Sequence, residues 1–171
     1  MKNMKFNLLG VFAIATMLFF AGCEDLCKDV DCGTNGTCVE GDCVCDAGYE
    51  GASCESAVNA KYAGTYSLTE TCAPSGAAGP YTITVTSSSN DQTTITFNGL
   101  WEEPQAATTA DVSTSTPASF TIASQTLITG FNISGTGSIN ETTGEITLNY
   151  EIADAGTGST VDSCTGTLAP Q

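Results

Sequence analysis

The chain has no histidine and no arginine, and its four lysines stand against 19 acidic residues. Without histidine, no Ser-His-Asp or Cys-His pair and no His-ligated zinc site can be assembled. Two of the lysines, Lys2 and Lys5, sit at the extreme N-terminus, so the rest of the chain carries 2 − 19 = −17. That charge repels phosphate backbones, and no basic patch is left to hold nucleic acid, which excludes this class of partner. Helix-forming pattern is also missing, since no stretch keeps a helical period over two turns. The abundance of Thr, Ser and Gly points instead to strands and turns.

What is present begins with a leader. Residues 1–22, "MKNMKFNLLGVFAIATMLFFAG", place Lys2 and Lys5 before an apolar run from Phe6 to Phe20. This is the pattern of a secretory signal. The run is shorter than the roughly 20 apolar residues of a membrane-spanning helix and ends in small residues. Phe20-Ala21-Gly22-Cys23 resembles the bacterial lipoprotein signal, with Phe20 where that family usually has Leu. The resemblance implies a lipid on the Cys23 thiol and cleavage just before it. It also resolves a parity problem, because nine cysteines in an exported chain leave one unpaired, and removing Cys23 leaves eight. Residues 23–26 read as a lipidated acidic tether. Glu24-Asp25 behind the anchor resembles tags that send some lipoproteins to the outer face of the outer membrane, so the expected address is the outer membrane and the cell surface.

Residues 27–54 hold six cysteines: Cys27, Cys32, Cys38, Cys43, Cys45 and Cys54, with intervals of four, five, four, one and eight residues. So short a segment cannot bury enough apolar surface to fold unaided, so bridges must restrain it. Six cysteines pair in many ways, and spacing alone does not choose. The intervals, together with Gly48-Tyr49-Glu50-Gly51, resemble an EGF-like domain. That resemblance implies Cys27–Cys38, Cys32–Cys43 and Cys45–Cys54. Asp29 and Asp31 lie after the first cysteine, and the interval Val39–Asp42 is short, so the calcium-binding variant of the family is not expected. No metal and no cofactor is expected anywhere in the chain.

Residues 55–61, "ESAVNAK", read as a short polar joint. From 62 to 171 the chain alternates apolar and Thr-rich positions in "YAGTYSL", "YTITVTS", "TTITFNGL" and "ITLNYEI", the mark of half-buried strands. Weaker strands fit at 108–114, 118–124, 130–139 and 162–168, separated by turns such as "SSSND" and "NETTG". Eight consecutive short strands most simply close as an antiparallel up-and-down barrel, which removes sheet edges. The fold class is therefore all-β, a disulfide-rich module followed by an eight-stranded barrel. Cys72 and Cys164 fall on the inward parity of the first and last strands, so a bridge between them requires those strands to be neighbours. Gly64-Thr65-Tyr66 resembles the opening of lipocalin-like barrels. A barrel this small can be filled by its own side chains.

The only tryptophan lies in "GLWEEP". Trp101 beside Glu102 and Glu103 is suited to stack a sugar ring and bond its hydroxyls, or to close one end of the barrel. On a strand, Glu102 and Glu103 would point to opposite sides, a poor arrangement for glycoside cleavage. With no nucleophile–base or metal constellation, catalysis is not expected. The expected function is a lipid-anchored, non-enzymatic binding or adhesion module. Its partners are the membrane through the anchor and an extracellular protein or glycan. The alternative is a lipocalin-like carrier of a small apolar ligand.

Overall fold

The computed structural model describes residues 25–171. The expected leader, the expected lipidation site Cys23 and Glu24 lie outside the described residues.

Two short hairpins build the six-cysteine module. β1 (Gly36–Val39) pairs with β2 (Asp42–Cys45), and β3 (Tyr49–Glu50) pairs with β4 (Ser56–Ala57), both antiparallel. The first turn consists of Glu40 and Gly41, both at positive φ (55° and 97°), the mirror-image turn whose twist suits a hairpin. The bridges are Cys27–Cys38, Cys32–Cys43 and Cys45–Cys54, with Cα separations of 5.7, 5.4 and 5.2 Å. Packing around them is tight enough that a Cβ on Gly36 would lie 2.5 Å from the Cys54 sulfur.

The joint differs from its reading as a polar spacer. Ser56 and Ala57 complete a ladder with the module, and Val58 is buried in the core of the barrel. Asn59 is almost fully buried, and its side-chain amide donates to the carbonyls of Ser88, Asp91 and Thr94 at 3.0, 2.9 and 2.9 Å. Lys61 then pairs with Glu50 of β3 at 2.8 Å and with Glu141 of a barrel turn. A buried polar residue whose amide is satisfied by three carbonyls is a structural plug, and its polarity alone cannot distinguish it from a linker.

Eight strands follow: β5 (Gly64–Ala73), β6 (Gly76–Ser87), β7 (Thr94–Asn98), β8 (Ala107–Val112), β9 (Ser119–Ile128), β10 (Phe131–Ile139), β11 (Ile146–Asp154) and β12 (Thr160–Pro170). Each pairs with its sequence neighbour, and β12 pairs back onto β5, closing the barrel. All eight segments read from alternation are strands. Two bounds differ. Tyr62 sits in a one-turn 3-10 segment (Ala60–Tyr62) before β5, buried, with its hydroxyl donating to the Pro117 carbonyl at 2.8 Å. β6 begins at Gly76 rather than Tyr81, because "GAAGP" carries no apolar alternation to announce it.

The inward positions fill the interior. Leu68, Ile83, Ile95, Phe97, Leu148 and Leu168 have no exposed surface, and each such burial contributes about 1.5–3 kcal/mol. Phe120 packs against Tyr62 and Phe97, with ring centroids 5.6 and 5.2 Å away. β10 makes room for it with Gly137, where a Cβ would meet the Phe120 ring at 2.3 Å. Cys72 and Cys164 stand directly opposite each other in the β5–β12 ladder and are bonded.

The barrel has two distinct ends. Pro170 lies opposite Tyr66, and the turns at 88–93, 113–118 and 140–145 gather at the end that meets the six-cysteine module. The connections at 74–75, 99–106, 129–130 and 155–159 form the far, distal end. Two ladders run short there. β8 and β9 share only the pairs Asp111–Thr121 and Val112–Phe120. Gln125 bridges the gap beyond them. Its Oε1 accepts from the Thr109 backbone N–H at 2.9 Å, and its Nε2 donates to the Thr109 carbonyl at 2.7 Å. β6 and β7 pair only from Thr84–Asn98 to Ser87–Ile95. Residues Gly76–Ile83 therefore have a strand on their β5 side alone.

Candidate functional site

Among the described residues, the two buried carboxylates both lie at the distal mouth. On β5 the inward series Tyr66, Leu68, Glu70, Cys72 includes a carboxylate, and on β12 Asp162 precedes Cys164 on the same parity. Both are buried. The Glu70 oxygens accept from Tyr81 Oη at 2.5 Å and Tyr150 Oη at 2.7 Å. Burial, reinforced by the Glu70 carboxylate, pushes both phenols well above the ordinary tyrosine range. Glu70 also lies against the sulfurs of Cys72 and Cys164, but these are bonded to each other, so the group offers a metal only a carboxylate.

Asp162 accepts three bonds: from the Ser75 backbone N–H at 3.1 Å, from Ser75 Oγ at 2.6 Å and from Trp101 Nε1 at 3.2 Å. Burial acts to raise this carboxyl, but the bonds from Ser75 and Trp101 outweigh it and hold the group below the usual carboxylate range. The Trp101 ring packs on Phe131, with centroids 5.5 Å apart and planes inclined at 58°. The indole thus reaches from the β7–β8 connection across the mouth to β12, and is pinned at its nitrogen and on its ring. It closes the barrel end, the second of the two roles read from sequence, while remaining half-exposed.

The segment that carries it is not a strand. Gly99, just before the short turn Leu100–Glu102, and Trp101 and Glu102 within it all have positive φ (104°, 57° and 56°). Left-handed backbone is costly for non-glycine residues and persists only where its surroundings enforce it. The strand-based expectation that Glu102 and Glu103 diverge is therefore corrected. The tight turn brings both to one cleft, of about 490 Å³, together with Glu70, Ser75, Gly76–Ala78 and Trp101. A smaller hollow of about 200 Å³ shares Glu102 and continues along Tyr81, Thr82 and Pro104. A depression of about 470 Å³ against β10–β12 is lined by Ser134, Thr136, Asn149, Tyr150, Glu151 and Thr165. Only the distal cleft joins an indole to convergent carboxylates.

Trp101, Glu102 and Glu103 were the sequence candidates for ligand contact, and the structure places all three at this cleft. Glu70, Asp162, Tyr81 and Tyr150 were not among them. Their signal was available, because a carboxylate on the apolar parity of a strand marks a buried polar group.

Comparison with known proteins bears on the first module. Residues 27–57 match the Teneurin-like EGF domain family. The six-cysteine unit is EGF-like, and the match runs through Ala57 to include β4. No curated protein and no solved structure matches the chain.

Proposed function

We propose that the protein is an exported bacterial lipoprotein, held in the outer membrane by a lipid on Cys23, that acts at the cell surface as a non-enzymatic binding or adhesion module. The observation that carries this reading is polarity along the molecule. The EGF-like domain is locked to one end of the barrel by Val58, Asn59 and Lys61, and the cleft with Trp101, Glu102 and Glu103 opens at the other. A rigid spacer that follows the anchor and points a recognition surface away from it is suited to capturing a partner outside the cell. The alternative carrier needs an empty lumen, and the large side chains that occupy the interior weigh against it. Ser75 and Asp162 are the nearest approach to a nucleophile pair, and a carboxylate held acidic is a weak general base.

The test combines two measurements on cells expressing the full chain. Labelled fatty acid should appear on the protein and disappear in Cys23→Ser. Protease added to intact cells should remove the barrel. A barrel protected in intact cells and cleaved only after lysis would place it inside the envelope and end the surface reading.

A further inference from the structure

The barrel from 62 to 171 carries ten carboxylates (Glu70, Asp91, Glu102, Glu103, Asp111, Glu141, Glu145, Glu151, Asp154 and Asp162) and not one basic residue. Lys61, the nearest cation in sequence, is engaged with Glu50 and Glu141 at the opposite end. The negative field at the distal mouth is thus unopposed by any side chain of the barrel, and low-dielectric walls focus such a field into a cleft.

A second and independent feature lies in the same place. Residues Gly76–Ile83 of β6 have no strand on their β7 side. Alternate N–H and C=O groups of a strand face each neighbour, so part of this backbone faces the cleft. Where β8 and β9 leave a comparable gap, Gln125 supplies a side-chain amide to the Thr109 backbone. Among the described residues, no side chain does this for Gly76–Ile83. The two hollows that share Glu102 follow this edge, from Gly76–Ala78 to Tyr81 and Thr82, with the Trp101 turn as the facing wall. Pro80 has no N–H to offer, which limits a new ladder to the residues on either side of it.

We propose that this seam is a docking site for an extended, lysine- or arginine-bearing polypeptide segment. The segment lies along the free edge of β6, exchanging backbone hydrogen bonds as an added strand. One of its cationic side chains enters the cleft beside the half-exposed indole of Trp101, where a cation gains from the ring face. Glu102 and Glu103 neutralise it at the rim and Glu70 at the floor. Trp101 is already fixed by Asp162 and Phe131, so little ordering remains to be done on binding. This deepens the binding reading above and rests on it.

The test uses the full-length chain in detergent micelles and the emission of Trp101, the single tryptophan. The probe is the blocked peptide Thr-Lys-Thr-Lys-Thr, against the same peptide with Glu in place of Lys. The lysine peptide should shift the emission saturably and more weakly as salt rises, and the glutamate peptide should not. Glu102→Gln with Glu103→Gln, checked for native circular dichroism, should weaken binding about fivefold. N-methylation of one of the two alternating sets of peptide amides should abolish it. Equal response to both peptides, or none to either, overturns the proposal. So does an emission shift produced by calcium or a neutral oligosaccharide while the lysine peptide is silent, or insensitivity to both methylation patterns. Protease accessibility on cells reads display separately, so a silent peptide on a displayed barrel rejects this inference and leaves the surface reading intact.

Discussion

Asp162 joins three chain segments through one carboxylate, accepting from Ser75 after β5 and from Trp101 after β7. Its pKa is depressed, so its contribution to stability is complete above the ordinary aspartate value of about 4 and is lost as pH falls through the lowered one. Acidification below about pH 4 should therefore release the indole and change Trp101 emission before global unfolding. In Asp162→Asn that acid step should vanish, and a persisting step would assign it to another group. Asn59→Ala removes the three hydrogen bonds that this buried amide makes to the Ser88, Asp91 and Thr94 carbonyls, and should lower the unfolding free energy in urea by about 3 kcal/mol. A change within error would mean that water replaces the amide.

Among elements, the strands were legible because each keeps one apolar face over at least one stretch. β11 is the clearest, with Ile146, Leu148, Tyr150 and Ile152 buried and the residues between them exposed. Period two survives in the sequence because it is enforced by a filled interior. Two elements were not legible, for different reasons. The joint reads as polar because its key residue, Asn59, acts through hydrogen bonds to carbonyls 29 to 35 positions away, and no local pattern encodes such partners. The Trp101 segment reads only as a loop just past a strand, because its left-handed backbone at Trp101 and Glu102 runs against residue preference and is held from outside. Trp101, Glu102 and Glu103 stand out in the sequence by residue type, but their meeting at one cleft is invisible there. The Cys72–Cys164 bridge was legible from parity and makes its own prediction. It spans a separation of 92 residues, so replacing both cysteines with alanine should cost the barrel about 4–5 kcal/mol on the chain-entropy estimate, measured by denaturant titration. A loss below about 1 kcal/mol would show that the strands close as firmly without it.

For the whole molecule, the interior sets the response to base as the mouth sets the response to acid. Burial is the leading reason that Tyr62, Tyr81 and Tyr150 have raised phenol values. The folded state disfavours their ionised forms, so the stability they lend is complete below about pH 10 and is lost as pH climbs through the raised values. The phenolate band of these residues should appear together with loss of the strand signal in circular dichroism, as one cooperative event above about pH 10. Gradual ionisation near pH 10 in a still-folded protein would contradict the buried arrangement.

The covalent link between β5 and β12 also decides how the protein behaves under tension. On the proposed reading, a load between the distal mouth and the N-terminal joint enters the barrel at Gly64, because β5 is the strand that follows the joint. Peeling β5 from its neighbour, starting at the pulled end, meets a covalent stop at Cys72. Opening of this ladder can therefore run from the Tyr66–Pro170 end no further than the distal end of the strand, where β5 and β12 stay covalently joined.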